Sequence, residues 1–184
     1  MAPTTSADDV LLAELGDAID AIESRYCMGG QFELAQPLTV ALGSGAPVRF
    51  PMARSAQDAE MARVKAAAAP SPFGQGAQTV VDTSVRKAHQ LMPADFTLGG
   101  GFDGTLPAAL LERVRKELVP DAGSITAKLH KINVYEKGGH FADHRDTPRS
   151  ETHFGSLVLL LPCYHAGGAL SVDHGGVSKS FDWA

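Results

Sequence analysis

Apolar positions keep two different rhythms along this chain. Leu11, Leu15, Ile19 and Ile22 recur at intervals of three and four, the period of one face of an α-helix. Ser6, with Asp9 three residues later, supplies a start resembling a capping box, and the pattern runs out near Arg25. Residues 38–42 and 48–50 instead alternate around Gly43-Ser44-Gly45, which predicts a β-hairpin. Residues 55–69 are Ala-rich, with Asp58, Glu60, Arg63 and Lys65 interspersed; that mixture predicts a mostly exposed helix stopped by Pro70. Leu110, Val114 and Leu118 form the apolar stripe of a further helix, with Thr105 as its cap, Pro107 in its first turn and Pro120 as its stop. Gly99 to Gly101 lack the spacing of a phosphate cradle and read as a flexible connector.

Beyond Gly123 the rhythm is that of strands, expected over 125–136, 156–161, 169–173 and 178–183. On the first of these, Leu129, Lys131, Asn133 and Tyr135 share one face and His130, Ile132 and Val134 the other. The polar face either lines a cavity or meets solvent. Helices first and antiparallel strands afterwards predict an α+β fold, a sheet or barrel covered by helices on one side. One domain is expected over 1–184, with residues 1–122 as a helical support region carrying the hairpin and 123–184 as the β core.

Composition narrows the partners. A chain of 184 residues with 44% hydrophobic content can bury a core of its own. Its net charge of -5 offers no overall basic surface, so no nucleic acid is expected. The short basic cluster Arg86-Lys87-Ala88-His89 reads as ordinary surface unless it lines a cleft. Cys27 and Cys163, far apart and outside any C-x-x-C pattern, read as buried free thiols. Without a signal-peptide pattern, or an apolar run of the ~18 residues a membrane span needs, a cytoplasmic protein with no membrane partner is expected.

The chemistry concentrates between Tyr135 and Arg149. In the triplet His144-Arg145-Asp146, side chains one residue apart on an extended segment point to the same side, so an imidazole and a carboxylate can converge on one metal. They would be two of the three ligands of a facial triad. Arg145 and Arg149 flank the pair, either touching substrate or lying on the surface. His130 and His140 read as packing or surface residues.

Around the triplet the sequence reads Tyr-x-x-Gly-Gly-x-Phe-x-x-His-x-Asp-Thr, followed by the apolar run Phe154 to Pro162 and by Gly167-Gly168-Ala169-Leu170. This stretch resembles the Fe(II)- and 2-oxoglutarate-dependent dioxygenases of the prolyl 4-hydroxylase-like type. Pro72-Phe73-Gly74 and Asp82-Thr83-Ser84-Val85-Arg86 resemble the upstream region of microbial and fungal members. The resemblance implies a double-stranded β-helix (jelly-roll or cupin-like) core, iron held by His144 and Asp146, and Tyr135, nine residues before His144, on 2-oxoglutarate. It further implies decarboxylation of that cosubstrate to succinate, with ascorbate as an accessory reductant, and hydroxylation of a protein side chain or a small molecule.

The family's distal His and the Lys or Arg that follows it have no counterpart after Asp146; His153, His165 and His174 are poor substitutes. The barrel is therefore expected to be incomplete, with 178–183 as an open edge, and a partner chain or further C-terminal segment is expected to complete it. Two other functions stay open: a non-catalytic binding or assembly module of the same fold, and a cupin-like small-molecule binder.

Overall fold

The computed structural model describes residues 25–43, 45–76, 78–100, 102 and 105–183. The helix expected between Ser6 and Arg25 lies outside them. The elements are β1 (Leu38–Ala41), β2 (Val48–Phe50), α1 (Gln57–Ala67), β3 (Ala69–Pro70), β4 (Phe73–Gln75), β5 (Gln78–Val80), β6 (Arg86–Lys87), β7 (His89–Leu91), β8 (Thr97–Gly100), α2 (Ala108–Leu118), β9 (Ile132–Val134), β10 (His140–Phe141), β11 (Leu170–His174) and β12 (Val177–Phe181). The fold is α+β. Among the described residues the strands form small antiparallel sheets, ordered β2-β1-β8, β3-β7-β9, β4-β5, β6-β10 and β11-β12, and none closes into a barrel.

The hairpin that alternation predicts is β1 with β2, in the register Val40 to Val48. Its inward parity, Leu38, Val40, Val48 and Phe50, joins Leu91 of β7, Val134 of β9 and Val64 of α1 in one buried cluster with Met52, Phe96, Phe102 and Leu106. Helix α1 buries Val64 alone, as its scattered charges predict. In α2, Val114 is buried and Leu110 and Leu118 are half-buried, so the predicted stripe faces the core. Its N-cap is Pro107 rather than Thr105, without a side-chain cap bond.

Three expectations change. Gly99 and Gly100 are not a loose connector but part of β8, paired with Thr39 and Leu38. Gly100 has φ +74°, and a Cβ there would lie 2.0 Å from the Pro37 carbonyl oxygen, so the strand passes too close for any side chain. Of the strand expected over 125–136, only Ile132–Val134 enters a ladder. Residues 156–161 form none, although from Val158 to Tyr164 the exposure alternates as a strand's would. Leu159, Leu161 and Cys163 pack on the core, whereas Val158, Leu160 and Tyr164 stay exposed. The segment is held by the Met52 N–H, which donates to the Pro162 carbonyl (3.0 Å). Gln57 also holds it, accepting from the Tyr164 N–H (2.6 Å) and donating to the Tyr164 carbonyl (2.6 Å). The last two predicted strands exist as β11 and β12, joined through Gly175 and Gly176 at φ +56° and +81°, a two-residue turn of the kind that matches strand twist. Both cysteines are free, and both are half-buried.

Candidate functional site

The site is reached from β9 through a tight turn. The Gly139 N–H donates to the Glu136 carbonyl at 2.7 Å, and Gly138 takes φ +70°, a conformation that favours glycine. The turn delivers β10 against β6, Phe141 opposite Arg86, and the Ala142 N–H prolongs the ladder to the Val85 carbonyl at 2.8 Å. That pairing seats the three residues leading into His144.

His144 stacks on Phe141 with ring centroids 3.5 Å apart, and the Arg86 guanidinium lies 4.3 Å over the same Phe141 ring, a cation–π contact. The imidazole pairs its Nδ1 with the Ala142 carbonyl at 2.9 Å. Donation from Nδ1 fixes the tautomer and turns Nε2 toward Asp146, whose Oδ1 is 3.5 Å away. The Ser156 hydroxyl donates to the other oxygen, Oδ2. That bond, helped by the nearby Arg149 guanidinium and opposed by burial, holds the Asp146 carboxyl below its ordinary range. An imidazole nitrogen and an ionised carboxylate oxygen therefore converge on one point.

Tyr135 directly follows β9 and is 45% exposed, and among the described residues no hydrogen bond ties it to His144 or Asp146. The other histidines are engaged elsewhere. His153 accepts from the Arg149 N–H at Nδ1 (3.1 Å) and donates from Nε2 to the Gly155 carbonyl (2.7 Å), so neither nitrogen offers a free lone pair. His140 bridges the carbonyls of Gly138 and Ser84, His165 lies against the Cys163 carbonyl, and His174 stacks on Tyr26. Among the described residues, no group of three His, Cys, Asp or Glu side chains is placed to hold a metal.

The alternation arguments missed a cationic layer beside this pair. Arg86, expected at the surface, is only 5% exposed. It donates to the Pro72 carbonyl (3.0 Å) and to Asn133 Oδ1 (2.9 Å), and its buried Nε has no partner. Lys131 donates to Gln90 Oε1 at 2.9 Å, an oxygen that also accepts from the Ser71 hydroxyl at 3.0 Å. Burial, then the charges of Arg86 and Arg149, push the Lys131 ammonium down to about 8. His130 accepts at Nε2 from the Arg149 guanidinium at 2.8 Å and is pushed below its ordinary value, mainly by burial. The sequence offers no signal for it: that Arg86 and Ala88 are buried while Lys87 is exposed follows from the pairing of β6 with β10.

Compared with protein families, curated proteins and solved structures, the chain matches no family profile, no curated protein and no solved structure.

Proposed function

We propose that the chain is an Fe(II)- and 2-oxoglutarate-dependent dioxygenase on a double-stranded β-helix, hydroxylating a protein side chain or a small molecule. His144 and Asp146 would hold the iron and Tyr135 would contact 2-oxoglutarate. One observation carries this: His144 Nε2 and Asp146 Oδ1 face each other at 3.5 Å, with the imidazole anchored from behind by Ala142. A tethered imidazole and a carboxylate kept ionised are what divalent ligation requires. The pair fits two of the three ligand positions of a facial triad. Iron, when bound, would activate O2, the oxidant that couples 2-oxoglutarate decarboxylation to hydroxylation.

The chain's own residues contribute position. Ala142 sets the His144 tautomer, Ser156 holds one Asp146 oxygen and leaves the other directed at His144, and the Phe141 ring backed by Arg86 restrains the imidazole plane. The β-helix reading also expects further strands, from this chain or a partner, over the exposed apolar residues Leu157, Val158 and Leu160.

A second reading, a non-catalytic binding or assembly module of the same fold, is favoured by the engagement of both His153 nitrogens. The separating experiment is succinate release with Fe(II), 2-oxoglutarate, O2 and ascorbate, for wild type and His144→Ala. Turnover lost on substitution supports the dioxygenase. Iron binding without turnover favours the module, and no iron binding rejects His144 and Asp146 as a metal site.

A further inference from the structure

We infer that the cavity between residues 54–58 and residues 164–166 is a binding site for a zwitterionic α-amino acid, with Arg54 on its carboxylate and Asp58 on its ammonium group. The inference goes beyond iron ligation and holds whether or not a metal binds. The cavity encloses about 420 Å3, within the range of small-molecule sites. Arg54, Gln57, Asp58, Tyr164 and His165 line it, and neither His144, Asp146 nor Tyr135 does.

Backbone bonds fix its walls. Gln57 brackets Tyr164, accepting from its N–H and donating to its carbonyl, both at 2.6 Å, and the Met52 N–H donates to the Pro162 carbonyl at 3.0 Å. Segments 107 residues apart in sequence are thereby held together before any ligand arrives, so binding orders little of the chain. The Arg54 guanidinium lies 4.7 Å over the Tyr164 ring, a cation–π contact that restrains the side chain and leaves its N–H fork for a carboxylate. Among the described residues Arg54 has no hydrogen-bond acceptor or carboxylate, and Asp58 has no donor or cation. Opposite charges thus line one cavity without pairing with each other, the complement of a molecule that carries both. His165 adds to the acceptor side: its Nδ1 donates to the Cys163 carbonyl at 3.0 Å, so Nε2 keeps its lone pair. A dianion would meet the Asp58 carboxylate and a dication the Arg54 guanidinium, so half of the site repels each. A zwitterion satisfies both halves.

The test is calorimetric titration of the full chain, stripped of metal on a chelating resin, with each of the common L-amino acids in turn at millimolar concentration. At least one is expected to bind. Its amine and carboxylic acid analogues, each lacking one of the two charges, should bind about tenfold more weakly or worse, the contribution of a hydrogen bond to a charged group. Arg54→Gln and Asp58→Asn should each weaken binding of the amino acid by about the same factor. Lys116→Met and Glu112→Gln, which remove a charge of each sign from α2, should leave it unchanged. Arg54 and Asp58 are exposed, so both variants should keep the wild-type circular dichroism. No binding by wild type, wild-type affinity in either Arg54→Gln or Asp58→Asn, or equal affinity for a singly charged analogue overturns the inference. With no metal present, each of these results is independent of the succinate-release experiment.

Discussion

Two apolar stretches fare differently in this molecule. In the hairpin and β7, Val48 and Leu91 are 0% exposed and Val40 is 2% exposed. Between Phe154 and Tyr164, Phe154, Leu157, Val158 and Leu160 are 43–56% exposed. Both place alternate residues on the core, the second only from Leu159 onward. The difference is neighbours: β1 has β2 and β8 on its two edges, whereas residues 154–164 pair with no strand among those described and are held by scattered bonds to Met52, Gln57, Asp146 and His153. Alternation decides which side chains point inward. Burial of the outward ones needs a second layer, and an open apolar face of this kind is where association begins.

Truncating each stretch gives the sharpest contrast. Leu91→Ala should cost about 2–5 kcal/mol in urea unfolding, the range for emptying a closed core site, and Leu160→Ala no more than about 0.5 kcal/mol. Equal losses would erase the distinction between the two regions. Next in size is Gly100→Ala, which adds a contact with Pro37 to an unfavourable φ and should cost about 1–3 kcal/mol. Gly175 has a similar φ, but a Cβ there meets nothing, so Gly175→Asn should cost only a few tenths of a kcal/mol, since Asn tolerates that conformation.

A pH series reads the cationic layer rather than the apolar one. Lys131 is held at about 8 against an ordinary 10.5, so between those values the unfolded chain binds the proton that the folded chain has released. Stability from this group should therefore rise with pH across that window, and Lys131→Met should flatten the rise. An identical slope in the variant would show that Lys131 is not desolvated. The smallest effect is expected from the double substitution Leu157→Ser and Val158→Lys. It should lower the binding of an apolar fluorescent dye while shifting the unfolding midpoint little, because these side chains are already in water.

Local pattern made much of this legible. The hairpin, both described helices and the β11 to β12 hairpin follow from side-chain period and turn residues, which depend only on near neighbours. Gly99 and Gly100 were misleading because the approach of Pro37 that demands glycine is a tertiary fact. The 156–161 stretch was misleading for the opposite reason, since its apolarity is real but no strand among the described residues pairs with it. At the site, the meeting of His144 and Asp146 was legible from their one-residue separation. The Phe141 and Arg86 stack behind them was not, because it depends on the pairing of β6 with β10 across a long sequence interval.

The most direct measurement is an anaerobic Fe(II) titration of wild type, His144→Ala, Asp146→Asn and Ser156→Ala. Ligation by the His144 and Asp146 pair predicts one wild-type site and large losses in the first two variants. Ser156→Ala should show a smaller loss of about 10-fold, the usual cost of releasing a ligand's supporting hydrogen bond. Wild-type affinity in His144→Ala, or no Fe(II) binding by the wild type, would contradict it.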